Sequence, residues 1–171
     1  SSSAQRRWFQ MTATALAGSP PKGIVVMYLD VTDQRKADKK FRDLLEAAPE
    51  AMIIVNSEAE IVLANQQSVN LFGWRSDELI GQKIEILVPE RYRGAHRNMR
   101  LDYMGKPHAR PMNAGFDLFA RRKDGTEFPV EISLSPLETD QGTLVMSAIR
   151  DISERKKAES RIAYLSRVQT I

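Results

Sequence analysis

A partial internal repeat is the feature that most constrains the fold of this chain. Residues 9–45 and 130–166 align without a gap at a constant offset of 121 positions. Each copy contains two strand-like apolar segments, reaches Asp30-Val31-Thr32 or Asp151-Ile152-Ser153, and continues into a charged helix. A fixed repeat period indicates a repeated structural unit. The first copy is only the end of such a unit, so the sequence predicts one complete domain preceded by the end of another.

The composition limits the class of protein. A chain of 171 residues that is 42% hydrophobic can form one domain with a real core. Its 25 basic and 22 acidic residues leave a net charge of +3, which predicts neither nucleic-acid binding nor direct membrane contact. The absence of cysteine excludes disulfides and thiolate metal sites. No apolar stretch approaches the roughly 20 residues that span a bilayer, so we expect a cytoplasmic location, with any membrane anchor elsewhere in the parent protein.

The order of the predicted elements indicates an α+β fold. Asn65 and Gly73 flank a short helix and are the residue types expected at its N-cap and C-cap. Pro89 suits the first turn of a longer helix over about 90–104. The five predicted strands lie at about 51–55, 60–64, 116–122, 128–134 and 142–150. An antiparallel sheet of five strands with short helices on one face is predicted, not a doubly wound fold.

Two helices, over about 31–47 and 153–171, are predicted to flank this domain. Asp30 and Asp151 stand where N-cap residues belong. Both helices carry apolar residues at alternating spacings of three and four, which is a heptad seam. The seam residues are Ala37, Phe41, Leu44, Ala158, Ile162 and Leu165. One alternative is a helix packed on its own domain; the repetition of the seam favours a parallel coiled-coil homodimer.

A series of short motifs, in order along the chain, resembles the PAS domain family. The motifs are Leu44-Leu45-Glu46-Ala47-Ala48-Pro49-Glu50-Ala51, Asn65, Leu71-Phe72-Gly73-Trp74, Asp77-Glu78-Leu79-Ile80-Gly81, Arg122-Lys123-Asp124-Gly125-Thr126-Glu127-Phe128-Pro129 and Arg150-Asp151-Ile152-Ser153. The resemblance covers residues 41–158, and residues 8–40 resemble the end of a preceding PAS domain. It implies a PAS fold and a module for sensing and dimerisation, without catalytic residues of its own.

The resemblance also implies a place in a multidomain bacterial-type signalling protein. Four segments are expected: the last strands of an upstream PAS domain (1–30), a signalling helix (31–47), a complete PAS domain (41–152) and a C-terminal signalling helix (153–171). The expected partners are the adjacent PAS and output domains of the same chain. The output domain would be a histidine kinase of a two-component system, or a GGDEF-type diguanylate cyclase or phosphodiesterase.

His96 carries the chemistry of the predicted site. Pro89-Glu90, Tyr92-Arg93, His96 and Tyr103-Met104 are similar in wording to the oxygen-sensing heme PAS domains of the FixL-type kinases. That resemblance implies His96 as the heme ligand and the only metal ligand, with Phe116 where those domains have a distal arginine. The alternative is a hydrogen-bonded core histidine in a cofactor-free domain. A flavin stacked on Trp74 is a further alternative, so the cofactor is left open.

The predicted pocket lies between the helix that bears His96 and the inner face of the sheet. Its other expected residues are Tyr92, Met99, Tyr103, Phe116, Leu118, Ile132, Leu134 and Met146. A small-molecule, redox or gas signal there would reach the output domain through Asp151, the expected joint with the exit helix, which Asp30 matches upstream. The alternative function is a cofactor-free protein-interaction module. Arg121-Arg122-Lys123 is interpreted as a charged hairpin tip.

Overall fold

The chain divides into two compact units, Ser1–Ala47 and Ala48–Ile171. The computed structural model describes residues 6–18, 23–112, 117–140 and 142–168. Within these ranges, each unit has its own antiparallel sheet. No helix in the described ranges combines the length and the apolar character that crossing a membrane requires.

The first unit is a hairpin followed by a helix. Strand β1, Phe9–Ala15, pairs antiparallel with β2, Ile24–Asp30, and helix α1 covers Thr32–Glu46. Oδ1 of Asp30 accepts a hydrogen bond from the backbone N–H of Thr32 at 2.9 Å. This carboxylate satisfies an amide that has no partner inside the helix. The N-cap residue of α1 is Val31, so the prediction that Asp30 is the N-cap is wrong by one position. The helix lies within one residue of its predicted bounds at each end.

The second unit contains six strands and four helices within the described ranges. The strands are β3 (Ala51–Val55), β4 (Ile61–Ala64), β5 (Arg110–Pro111), β6 (Leu118–Arg121), β7 (Glu127–Thr139) and β8 (Gly142–Asp151). The helices are α2 (Gln66–Phe72), α3 (Ser76–Leu79), α4 (Arg93–Gly105) and α5 (Ser153–Val168). Turns of 3₁₀ helix at Ile84–Leu87 and Glu90–Tyr92 lie between α3 and α4. The predicted long helix therefore begins as a 3₁₀ turn and becomes α-helical only at Arg93.

The sheet of the second unit has the order β4–β3–β8–β7, and both β5 and β6 pair with the far edge of β7. β6 pairs with the beginning of β7, whereas β5 pairs with Ser133 and Leu134 further along. Both short strands therefore lie beside the same edge of β7. The predicted α+β class with an antiparallel sheet is confirmed. Within the described residues the sheet has six strands and not five, because β5 at Arg110–Pro111 was not predicted from the sequence.

The inner face of the sheet and the short helices form the core. Phe128 and Val130 of β7 belong to the same buried cluster as Phe72 of α2 and Leu79 of α3. The rings of Phe72 and Phe128 lie 5.8 Å apart in a tilted arrangement, which aromatic pairs favour. Side chains alternate across a strand, so the next residues of β7 on this face also reach the core, as predicted.

Asn65 fastens α2 to the sheet. Its Oδ1 accepts hydrogen bonds from the backbone N–H groups of Met52 at 2.8 Å and Ser68 at 3.1 Å. Its Nδ2 donates to the carbonyl of Glu50 at 2.9 Å. Gly73 ends the helix with a φ of 72°, a left-handed conformation that glycine adopts without strain. Both predicted helix ends are confirmed.

The internal repeat extends to the register of the strands. Phe9 faces Asp30 in the first hairpin, and Val130 faces Asp151 in the second. Every residue pair of the β1–β2 hairpin has its counterpart in the β7–β8 hairpin at the offset of 121. In both copies, Oδ1 of the aspartate that ends the second strand accepts a hydrogen bond from the backbone N–H two residues further on. The distance is 2.9 Å in the first copy and 2.8 Å in the second. The two segments are therefore copies of one local structure.

Candidate functional site

Helix α4 turns a different face inward from the one predicted. Its less exposed residues are Arg93, His96, Arg100, Tyr103 and Met104. These positions follow the helical period of 3.6 residues. Tyr92 precedes the helix and Met99 lies on its solvent side, and both side chains are exposed. The prediction that Tyr92 and Met99 face inward with His96 is wrong, because the inward face is rotated toward Arg100.

His96, Glu85 and Arg100 form a charged cluster where α4 meets the 3₁₀ turn Ile84–Leu87. Nδ1 of His96 lies 3.3 Å from Oε1 of Glu85, and Nε of Arg100 donates to the same oxygen at 3.2 Å. The side chains of Glu85, His96 and Arg100 are only 11%, 15% and 18% exposed. A carboxylate this buried requires such partners, because an unpaired buried charge is costly.

The carboxylate of Glu85 selects one form of the His96 ring. An ionised carboxylate only accepts hydrogen bonds, so Nδ1 of His96 carries the proton of that contact. In the neutral ring Nε2 then holds the lone pair. No described residue forms a hydrogen bond with Nε2. The ring therefore has a fixed orientation and one nitrogen that can act as a ligand.

Burial and neighbouring charges set the pKa values in this cluster. Burial lowers the pKa of His96 below its ordinary value, against the attraction of Glu85. Burial alone would raise the pKa of Glu85, but three groups hold that pKa below its ordinary value. They are its own backbone amide, the His96 ring, which is charged at the acidic pH where a carboxyl group titrates, and the charged Arg100. At neutral pH the cluster thus contains an ionised Glu85, a neutral His96 and a charged Arg100.

The other predicted pocket residues do not all lie on one side of the sheet. Those that pack in or against the buried core are Tyr103, Leu118, Ile132 and Leu134. Met146 lies on the opposite face of β8, because its neighbours Val145 and Ser147 are the buried ones. The prediction that Met146 lines the inner pocket is wrong. Phe116 lies outside the described residues.

The second histidine lies apart from the cluster. His108 is exposed in the loop after α4, and its carbonyl accepts a hydrogen bond from the hydroxyl of Tyr103 at 2.7 Å. The rings of Tyr103 and His108 lie 5.9 Å apart. His108 and His96 are the only histidines of the chain, so His108 provides a natural control for substitutions of His96.

Asp151 joins the last strand to helix α5. Its Oδ1 accepts hydrogen bonds from the backbone N–H of Ser153 at 2.8 Å and from the hydroxyl of that residue at 2.5 Å. Its Oδ2 accepts one from Nη2 of Arg122 at 2.8 Å. Burial alone would raise the pKa of Asp151, but the hydrogen bonds of Ser153 and the charge of Arg122 hold it below its ordinary value. The negative charge also suits the dipole at the start of α5.

Arg122 connects three parts of the second unit. In addition to its contact with Asp151, its Nε donates to the carbonyl of Leu71 in α2 at 3.0 Å. Its guanidinium carbon lies 3.7 Å from the ring centre of Phe128 in β7. The side chain thus packs inside the second unit and is not part of a solvated hairpin tip. The end of α2, the core strand β7 and the start of α5 meet at this one residue.

A family model described as PAS domain matches residues 49–154. The chain belongs to the PAS domain family. The match includes every strand of the second unit and ends in the first turn of α5. The chain therefore contains a sensory PAS domain, as its motifs predicted.

Sensor proteins are among the relatives of this PAS domain. The chain is 26% identical over 146 residues to the sensor protein FixL of Bradyrhizobium diazoefficiens, covering 81% of this chain and 29% of FixL. It is 26% identical over 117 residues to the oxygen sensor protein DosP of Escherichia coli, covering 68% of this chain and 15% of DosP. The chain thus spans less than a third of either relative.

A solved structure supports the fold. A PAS domain from a two-component sensor histidine kinase superposes with a TM-score of 0.56 at 16% identity, covering 69% of this chain and 98% of that one. At this level of identity the likeness concerns the arrangement of strands and helices alone. It agrees with the antiparallel sheet and short helices of the second unit.

The predicted dimer seams of the PAS chain lie on exposed helix surfaces. The large seam residues are exposed: Phe41 and Leu44 in α1, and Ile162 and Leu165 in α5. Ala37 and Ala158 are exposed on the same helices. Their side chains are open to a partner helix, and the parallel coiled coil stays a prediction.

Sequence reasoning missed the residues that hold the site together. Glu85 and Arg100 carry no motif, and only the fold places them beside His96. Arg122 was interpreted as part of a charged turn, although its position directly after β6 and before the Asp-Gly turn is visible in the sequence. Trp74 packs against the core, and Nζ of Lys123 lies 5.2 Å from the centre of its ring.

Proposed function

We propose that this PAS domain passes a small-molecule, redox or gas signal through α5 to an output domain of a multidomain signalling protein. The relatives named as sensor proteins support a sensory role. The output domain would be a histidine kinase or a cyclic-dinucleotide enzyme. The observation that carries the proposal is that Asp151 holds the start of α5 with one carboxylate oxygen and Arg122 with the other.

This arrangement provides a physical route from the domain to α5. Arg122 also holds the carbonyl of Leu71 at the end of α2. A movement of α2 or of the core strands would therefore change the contacts of Asp151 and the first turn of α5. A signal needs only a few kcal/mol of differential affinity between two states to shift their populations. Breaking one partly buried hydrogen bond between charged groups involves an energy of that order, roughly 1.5–3 kcal/mol.

Amide hydrogen exchange in the 171-residue protein tests this route. We expect Arg122→Ala to speed exchange both in the last turn of α2 and in the first turn of α5. Arg75→Ala is the matched control, because Arg75 also pairs with an aspartate, but both side chains are exposed. It should speed exchange in neither helix. Unchanged exchange at the start of α5 in Arg122→Ala would contradict the proposal.

In the full-length parent, Asp151→Asn should abolish signal-dependent output while the domain stays folded. The substitution removes the charge but keeps the side-chain volume and an acceptor oxygen. Circular dichroism and the melting temperature would report folding separately from signalling. If a folded Asp151→Asn protein signals like the wild type, then the contacts of Asp151 between β8 and α5 do not carry the signal.

Heme binding through His96 is a second candidate. Glu85 fixes the ring so that Nε2 holds the lone pair, which is the arrangement that histidine ligands of metals commonly have. The similarity to the oxygen sensor DosP and to FixL gives the candidate further support. Heme would supply an iron that binds gases or changes redox state. The residues of the chain that would serve it are His96 as ligand and Glu85 as the group that orients the ring.

A hemin titration decides between this candidate and a cofactor-free interaction module. A Soret band that shifts on addition of hemin to the wild type and to His108→Ala, but not to His96→Ala, supports the heme site. A shift that survives in His96→Ala, or is lost equally in both variants, contradicts it. No shift in the wild type would also contradict it and would favour the cofactor-free module.

A further inference from the structure

The hairpin of the first unit leaves its apolar residues uncovered. Every described residue of β1 and β2 is exposed, including Ile24 at 69% and Tyr28 at 66%. Apart from its pairing with β1, β2 has no neighbouring strand within the described residues. An isolated two-stranded hairpin is marginally stable in water, and an open strand edge is a template for a further strand.

The second unit shows what the same hairpin looks like when it is covered. Val145 and Ile149, the counterparts of Ile24 and Tyr28 at the offset of 121, are each only 5% exposed. They are buried because β3 pairs with the free edge of β8 along Val145–Ile149, and because the short helices cover the inner face. The two hairpins have the same register, but only the second one has a neighbouring strand and helices packed against it.

The alternation of apolar and polar residues in β1 shows which face of the hairpin would pack against a core. Phe9, Met11 and Ala13 lie on one face of β1, and the residues between them on the other face are Gln10, Thr12 and Thr14. The apolar face corresponds to the buried face of β7, which begins with Val130. This side of the hairpin is apolar on both strands, because Tyr28 and Val26 of β2 lie opposite Met11 and Ala13. On the other side the polar residues of β1 lie opposite Val25, Met27 and Leu29 of β2. The alternation in β1 therefore indicates that the side with Phe9 faces a core.

We propose that the β1–β2 hairpin is the closing end of a first PAS domain, whose body is a segment of the parent chain upstream of Ser1. A strand equivalent to β3 would pair antiparallel with Ile24–Tyr28, in the register that β3 has with Val145–Ile149. Helices equivalent to α2 and α3 would cover Phe9 and Met11.

A second copy of this chain is a poorer occupant for the same surface. Its own β3 is already paired on both edges, with β4 and β8. Its first hairpin offers only another open edge and no helices to cover the inner face. The upstream segment supplies both elements at once and continues the repeat already present in the sequence.

Hydrogen exchange on two lengths of the parent chain tests the proposal. One protein is the 171-residue chain, and the other is extended upstream by one repeat length of the native sequence. In the longer protein, the amides of Ile24–Tyr28 should become at least 100-fold more protected, approaching those of Val145–Ile149, which serve as the internal reference. Equal protection in the two proteins overturns the proposal. Protection that rises with the concentration of the shorter protein would also overturn it, by assigning the edge to a second copy.

Two neighbouring substitutions add a test that does not depend on exchange rates. Met11→Lys places a charge on the face that carries Phe9, and Thr12→Lys places the same charge on the opposite face; both positions are exposed in the first unit. In the longer protein only Met11→Lys should lower the melting temperature of the upstream domain. If that variant does not fold while Thr12→Lys does, the face assignment is supported as well. Equal effects of the two variants would overturn it.

Discussion

Nη2 of Arg122 lies 2.8 Å from Oδ2 of Asp151, and the two side chains are 27% and 28% exposed. Asp151 holds the first turn of α5 at 2.8 Å, and Arg122 holds the last turn of α2 at 3.0 Å. Two elements that are distant in sequence are thus joined through one ion pair at the point where the chain leaves the sheet. Under the proposed function, a change of internal packing would reach the exit helix at this pair.

The pair should contribute measurably to stability. In a double-mutant cycle of Arg122→Ala and Asp151→Ala, we expect a coupling free energy of about 1–3 kcal/mol, because both groups are charged and partly buried. Urea unfolding measures it. The same cycle on Arg75 and Asp77, whose side chains are 75% and 65% exposed, should give no measurable coupling, because water and salt screen an exposed ion pair. Equal couplings at the two sites would contradict the prediction.

Lowering the pH should remove the contribution of the Asp151 carboxylate to the free energy of unfolding. Its pKa in the folded protein lies below the ordinary value of 3.8, so the stabilisation is fully present above pH 3.8 and is lost as the pH falls through the folded pKa. The difference in free energy of unfolding between wild type and Asp151→Asn should therefore be constant above that value and shrink below it. A difference that does not change with pH would show that the ionised carboxylate is not the stabilising form.

Glu85 should stabilise the folded protein by pairing with the charged side chain of Arg100. Glu85→Ala leaves the Arg100 guanidinium partly buried without its carboxylate, and we expect a loss of about 2–4 kcal/mol in the free energy of unfolding. Combining it with Arg100→Met, which removes the charge and keeps an unbranched apolar chain, should recover at least half of that loss. Thermal or urea unfolding of the three variants is the measurement. No recovery in the double variant would mean that the cost comes from lost packing.

The exposed seams predict a parallel dimer. Replacing Phe41 and Leu44 together with Glu should convert the protein to a monomer in analytical ultracentrifugation, because two charges would face each other across the seam. Arg42→Glu is the control, since Arg42 is exposed on the same helix but outside the seam; it should leave the dimer intact. A wild-type protein that is monomeric at high concentration would disprove the prediction for this chain.

Local patterns predicted most of the elements. Asn65 and Gly73 have the side chains that helix ends require, and both end α2 as expected. The alternation of apolar residues correctly placed Ile132 and Leu134 on the inner face of the sheet. Such signals are local, because capping and strand alternation depend on residues a few positions apart.

The errors arose where the orientation of an element depends on its neighbours. Helical spacing groups Met99 with His96 almost as well as it groups Arg100 with His96, and packing on the 3₁₀ turn at Ile84–Leu87 decides between them. The face of Met146 depends on which alternate residues of β8 meet the core. Neither choice is present in the local pattern of apolar residues.

The residues along the chain were enough to predict the family, the order of the elements, the repeat and the two flanking helices, because each of these rests on residue types at short or constant spacing. The contacts at the candidate site, in contrast, depend on the folded arrangement of the whole domain. Glu85 meets His96 across 11 positions, and Arg122 meets Asp151 across 29. Such contacts depend on how the short helices and the sheet pack together, and polar side chains that satisfy one another across a fold show no periodicity along the chain.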